Sequence, residues 1–257
     1  MPRPNGGIET AMSDFRNGYS IPQTADMAVD AGLRSFMLGV YNKLAIGLVV
    51  AAALAWIVGN VPAVQQLLYV QTANGISMTI LGMVVQFLPL VLIFGSMFFM
   101  KNPIAAGTSL LYWAVVASMG ASLGWIFLLY TQGSVVSTFL ITAAAFGGLS
   151  LYGYTTKRDL GPIGTFLIMG VIGLIIASIV NMFMASSTLY WITTFAGVLI
   201  FSGLIAYDTQ RLKMTYYAIG GDRNALGVAT SYGALSLFID FINLFLFLLR
   251  IFGGNRN

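Results

Sequence analysis

Ala234-Leu235-Ser236-Leu237-Phe238-Ile239-Asp240-Phe241-Ile242-Asn243-Leu244-Phe245 is the stretch on which the reading of this chain turns. It lies in an apolar run at residues 225–252, longer than the roughly 20 residues a helix needs to cross about 30 Å of hydrocarbon. Asp240 stands in the middle of that run, with Leu237, Phe238, Ile239, Phe241 and Ile242 around it. A carboxyl group at such depth costs about 2.5–3.5 kcal/mol on insertion scales, so it is expected to face protein or water. At helical spacing Tyr232, Ser236, Asp240 and Asn243 share one stripe, and the other faces are Leu, Phe and Ile. A span with one polar seam and apolar surface elsewhere reads as a central helix enclosed by its neighbours.

Six further apolar runs precede it, at residues 44–61, 76–100, 104–129, 135–154, 163–184 and 189–207. The expected fold is therefore an all-α membrane protein of seven transmembrane helices, a single bundle over residues 38–254. Composition agrees: 58% of residues are hydrophobic and 8% charged, where a soluble domain carries about a quarter charged side chains. So few charges cannot cover a water-facing surface. Residues 1–37 carry Glu9, Asp14, Asp26 and Asp30 with Arg3, Arg16 and Arg34, and hold no apolar run that could serve as a signal-peptide core. They read as an exposed cytoplasmic tail with a short amphipathic helix at 25–38. Tyr41 and Lys43 are expected among the headgroups at the start of the first span.

The basic residues give the orientation. With the tail inside, Arg3, Arg16, Arg34, Lys43, Lys101, Lys157, Arg158, Arg211, Lys213 and Arg223 all fall on the cytoplasmic side, and only Arg250 and Arg256 lie at the far end of the last span. Ten against two is the positive-inside pattern of a protein with its N-terminus in the cytoplasm and its C-terminus outside. The same placement argues against nucleic acid as a partner and for the lipid bilayer. Cys and His are absent, which removes thiol nucleophiles, disulfides and imidazole chemistry. Gly120 with Gly124, Gly147 with Gly148, Gly170 with Gly173, and Gly203 are expected to let helices approach closely. Pro89 is expected to kink the second span. Asn181 is expected to hydrogen-bond between helices.

Six of the eight acidic residues fall in the tail or in cytoplasmic loops, leaving Asp208 and Asp240. Asp208 closes the sixth span, where it could be solvated, pair with Arg211 or Lys213, or meet Asp240 on the antiparallel last helix. Depth opposes the meeting: from Ala225, Asp240 is about 15 residues along, or roughly 22 Å. The two meet only if the last helix starts below the membrane surface or the sixth carries Asp208 inward. Two carboxyl groups brought together in a low-dielectric bundle cannot both ionise cheaply, so one proton is shared. Protonated, the pair closes as a hydrogen bond; ionised, it repels and attracts a hard cation such as calcium. Calcium wants six to eight oxygens, so Ser236, Asn243, water or backbone carbonyls would have to help, which suits weak transit. Lys101, at the cytoplasmic end of the second span, is either a positive-inside residue or a latch that pairs with the ionised carboxylates.

Thr156-Lys157-Arg158-Asp159-Leu160, Asn181-Met182-Phe183, Tyr207-Asp208-Thr209-Gln210 and the run 234–245 followed by Leu248-Leu249-Arg250 closely resemble the Bax inhibitor-1 (TMBIM, bacterial YccA-like) family, from about residue 36 to 253. The resemblance implies seven helices with the last surrounded by the other six, and a pH-sensitive calcium leak channel in the bacterial inner membrane. It implies that Asp208 and Asp240 are the proton- or cation-binding pair that controls closure. It implies no resident cofactor and no catalytic residue, calcium being the permeant or weakly bound ion. Lys101 looks like the counterpart of an arginine latch, though a lysine is a point donor and not a fork. The connection at 211–230 looks longer than in compact relatives. Two other functions compete. A membrane-embedded interaction protein that modulates a membrane protease or a stress or cell-death pathway would depend on the tail and loops and be indifferent to the carboxyl pair. An intramembrane aspartyl protease would use the pair to activate water, but the residues before Asp240 are Leu237-Phe238-Ile239 and lack the Gly-x-Gly of such enzymes.

Overall fold

The computed structural model describes residues 31–72, 75–219 and 221–254. The charged tail residues up to Asp30, the first part of the amphipathic helix expected at 25–38, and Arg256 lie outside these. The helices are α1 (Ala31–Asn60), α2 (Pro62–Leu68), α3 (Ile80–Phe99), α4 (Ala105–Ser122), α5 (Ile126–Leu129), α6 (Gln132–Thr155), α7 (Gly161–Met184), α8 (Ser187–Ile219) and α9 (Arg223–Phe252). A 3-10 turn at Leu123–Trp125 joins α4 to α5, and the pair acts as one span. Seven spans are long and apolar enough to cross a membrane: α1, α3, α4 with α5, α6, α7, α8 and α9. The protein is an all-α, seven-span helical bundle.

Helix ends follow local chemistry. Thr79 and Thr131 cap α3 and α6, their hydroxyls accepting from the backbone N–H of Gly82 and Ser134. Asp222 caps α9, accepting from the N–H groups of Asn224 and Ala225. Proline stands in the first turn of α2 and of α7, where its missing N–H costs nothing. At the end of α7, Ala185 adopts a left-handed conformation (φ 48°), and the Asn181 side chain accepts from the N–H of Ser186 at 3.0 Å. Asn181 therefore closes its own helix, in place of the interhelical bond expected of it. Helix α3 continues unbroken through Pro89, and Pro89 itself is buried.

The spans differ from the apolar runs at both ends of the chain. Helix α1 is already helical at Ala31, inside the segment read as tail, where Leu33, Phe36, Met37 and Val40 recur at helical spacing and are buried. Helix α8 does not stop near Tyr207 but continues to Ile219, so residues 211–230 are nearly all helix and the connection shrinks to residues 220–222. Hydropathy marks where apolar side chains end, whereas a helix ends where its hydrogen bonding does. The two extensions support each other: the rings of Phe36 and Tyr216 lie 5.6 Å apart. Lys43 also departs from its reading. Its ammonium points into the bundle, donating to Ser109 and Ser231 (both 2.8 Å) over the ring of Tyr112.

A small hairpin follows α2 and takes up the first residues of the apolar run at 76–100. Strands β1 (Tyr69–Thr72) and β2 (Gly75–Met78) pair antiparallel with Tyr69 opposite Met78, so α3 starts at Ile80.

Helix α9 packs against α8, α1, α4 and α6, while α7 packs mainly on α8 and α3 mainly on α4. The fully enclosed core, including Tyr112, Val115, Ile205, Leu237 and Phe238, lies where α1, α4 and α8 meet α9. Glycine permits the closest crossings. A Cβ on Gly120 would sit 2.6 Å from the Cα of Ala51, and one on Gly153 would run into the carbonyl of Ala206. Gly124, Gly170 and Gly203 are likewise filled against neighbours, but Gly147, Gly148 and Gly173 face open space, so close packing accounts for only some of the intramembrane glycines.

Candidate functional site

Four consecutive residues of α8 point at four different neighbours, as a rotation of about 100° per residue requires. Tyr207 lays its ring over Gly164 of α7. Asp208 faces α9. Thr209 reaches Ser150 of α6 at 3.4 Å and its own Ile205 carbonyl at 2.8 Å. Gln210 fastens the connection between α6 and α7, accepting from the N–H of Leu160 and donating to the carbonyl of Arg158, both at 2.8 Å. One turn on, the Lys213 ammonium donates to the carbonyl of Tyr154 near the end of α6 at 2.9 Å and lies over the Tyr154 ring. A side chain at each step thus fixes the rotation of α8, and with it the direction in which Asp208 points.

Asp208 and Asp240 are both buried, 8% and 5% exposed. Their carboxyl groups are neighbours across the α8–α9 contact, each within reach of the other's charge. Ser236, one turn before Asp240, donates its hydroxyl to Oδ2 of Asp208. Oδ2 of Asp240 is buried with no partner. The depth difficulty disappears because α8 carries Asp208 some 11 residues, roughly 16 Å, in from its end at Ile219. Small residues bring the helices together here: a Cβ on Gly233 of α9 would collide with Leu212.

A cavity of about 440 Å³ leads from Asp208 and Ser236 past Arg211 and Tyr232 to Asn224 and Ile219, beside the α8–α9 connection. Asp240 does not line it and sits behind Asp208. Arg211 attracts Asp208 through its charge without forming an ion pair.

The remaining expected residues are not part of this group. Asn243 donates to the carbonyl of Ile239 in its own helix at 2.8 Å. Lys101 follows α3 in an exposed bend and, among the described residues, forms no hydrogen bond or ion pair with either aspartate. Among the described residues the lysines that enter the bundle are Lys43, expected among the headgroups, and Lys213, expected on the cytoplasmic side or paired with Asp208. Ser231 is not part of the polar seam: it lies five residues before Ser236 and nine before Asp240, about 140° and 180° round the helix from them, so the seam gave no signal for Lys43. Among the described residues no three acidic side chains gather to hold a metal.

A bundle of seven spans with two buried carboxyl groups side by side between its last two helices defines a multi-pass membrane protein with ionisable groups in its interior. The chain belongs to the Bax inhibitor-1 family: the family model described as Inhibitor of apoptosis-promoting Bax1 matches residues 33–257. Among similar proteins, one from Caulobacter vibrioides is 60% identical over 249 residues, covering 95% of this chain and 100% of the relative. The Inner membrane protein YbhL of Escherichia coli K12 is 42% identical over 228 residues, 88% of this chain and 94% of the relative. A protein of Rickettsia prowazekii is 39% identical over 229 residues, 89% and 93%.

Proposed function

We propose that this protein is a pH-sensitive cation leak pathway of the bacterial inner membrane, with calcium as the permeant ion and the Asp208–Asp240 pair as its gate. The observation that carries the reading is the burial of two neighbouring carboxyl groups between α8 and α9, since two such groups in a low-dielectric site cannot both ionise cheaply and share a proton. In this closed arrangement Ser236 holds Asp208 toward α9. Loss of the shared proton leaves two like charges in a low-dielectric site, and their repulsion drives α8 and α9 apart. The oxygens of Asp208, Asp240 and Ser236 then offer a hard cation fewer than the six to eight ligands it prefers, so water completes the shell and the ion moves on.

The cavity lined by Arg211 and Tyr232 is the cytoplasmic approach. The last helix serves as the axis of the pathway, enclosed by the other six, a reading supported by its direct packing on α1, α4, α6 and α8. The basic residues support an N-terminus in the cytoplasm, with the tail there, and a C-terminus outside; the name of the E. coli relative supports the inner membrane. Lys101 is proposed as a latch only for a state in which α3 has moved toward the pair.

Calcium flux into proteoliposomes, followed from mildly acid to mildly alkaline pH, tests this. Wild type should conduct more as the pH rises and the pair loses its proton. Asp240→Asn keeps the side chain's size but cannot ionise, so its profile should be flat. A wild-type pH profile in Asp240→Asn would remove the gate and leave the role of a membrane-embedded interaction protein in a stress or cell-death pathway.

A further inference from the structure

A second opening in the bundle shares no residue with the Asp208 cavity. Helices α1 and α6 both pack on α9 but have no broad contact with each other, and the gap between them is a cleft floored by Phe241 and Phe245. Its two parts, about 760 and 300 Å³, both touch Leu48 and so continue one another along α1. The larger lies within the about 300–1,000 Å³ typical of small-molecule sites.

The distribution of polarity along the cleft matches a bilayer. Arg34, Tyr41 and Tyr154 stand at one end, Trp56 and Gln132 at the other, and the stretch between is aliphatic and aromatic. Arg34 to Trp56 is 22 residues of α1, roughly 33 Å, against about 30 Å of hydrocarbon. Small side chains make the trough: Ala45, Ala51, Ala52 and Ala55 on α1, with Gly147 opposite on α6, where an added Cβ would meet nothing within 4 Å. Arg34 is exposed and has no ion-pair partner among the described residues, and the exposed Lys157 and Arg158 follow α6 just beyond Tyr154.

We propose that this cleft holds an acyl chain of an anionic phospholipid whose headgroup phosphate pairs with Arg34. An apolar trough open sideways to hydrocarbon is filled by chains of its solvent; a guanidinium at its mouth binds the phosphate by a two-pronged hydrogen bond and, by charge, favours a headgroup of net negative charge over one whose phosphate is offset by a choline ammonium. Basic residues between spans at the cytoplasmic face are a recurrent setting for anionic headgroups. The seated chain presses on Phe241, whose ring meets Phe139 and Phe146 edge-on and which follows Asp240 in sequence. The lipid therefore bears on the helix that carries the buried acid, but the binding itself does not depend on ion flux.

The test uses delipidated full-length protein in detergent, given phosphatidylglycerol or phosphatidylcholine with the same acyl chains. Native mass spectrometry reads the lipid retained. Wild type should retain the anionic lipid about fivefold better, the effect of one basic residue at a membrane surface. Arg34→Gln should bring the two lipids level. Gly147→Phe should lower retention of both with an unchanged melting temperature in lipid-free detergent; Ala143→Phe, on the same wall, makes the same test if that variant does not fold. Equal retention of the two lipids by wild type, retention indifferent to the filled cleft, or a dimer that covers this face and excludes lipid would each overturn the proposal.

Discussion

Helix α7 is the most apolar of the seven spans, yet only 17% of its most hydrophobic window is buried in the protein; α9 is less apolar, carries a carboxyl group at its centre, and has 56% buried. In a soluble protein the order would be reversed, because water drives the most apolar helix inward. Here lipid tails solvate Leu and Ile as well as another helix does, so apolarity alone gives no reason to be inside. What draws a helix inward is the group that lipid cannot solvate. Asp240 needs Asp208 and Ser231 receives a bond from Lys43, whereas the outward face of α7, with Phe166, Ile172, Ile176 and Ile179, needs nothing but lipid.

This contrast can be broken by experiment. The largest effect is expected where α4 crosses α1: Gly120→Leu forces a side chain into the backbone of Ala51 and should cost about 4 kcal/mol, seen as loss of a monodisperse peak in fluorescence-detected size exclusion. Next, Ile176→Asp puts a carboxyl group on the lipid face of α7 and should cost about 2.5–3.5 kcal/mol in a membrane-insertion assay. A small loss there would mean that α7 has a protein neighbour. Asp240→Leu runs the other way. Replacing a buried polar group with an apolar one of similar volume should raise thermal stability in detergent by about 1–3 kcal/mol while abolishing pH dependence of flux, because the acid is kept for function and not for folding. The smallest effect belongs to Gly173→Leu on α7, which enters open space and should stay within about 0.5 kcal/mol of wild type in the same melt.

The pair was legible in the sequence because an acid inside an apolar run is conspicuous, and Ser236 because it stands four residues away on the same face. Asn243 was equally well placed by spacing but satisfies itself on Ile239, since an amide within reach of its own helix carbonyl has a local alternative to any partner across the bundle. Lys43 and Lys213 were hidden for the opposite reason. A lysine near the end of an apolar run looks like an interfacial anchor, and nothing in the run tells that Ser109, Ser231 or the Tyr154 carbonyl waits on another helix. Asp208 looked too shallow to meet Asp240 only because the sixth span was ended where its apolar residues end; the helix itself goes on to Ile219.

By itself the order of residues determined that seven helices cross a membrane and which two acids lie among them, because transfer of each segment from water to lipid is a local property that sums along the chain. Which helices α9 packs against, how far α8 runs past the apolar zone, and which hydroxyl meets Asp208 were decided only by tertiary packing. Those outcomes depend on glycine-sized gaps and on hydrogen bonds between residues far apart in the chain, and no segment contains them alone.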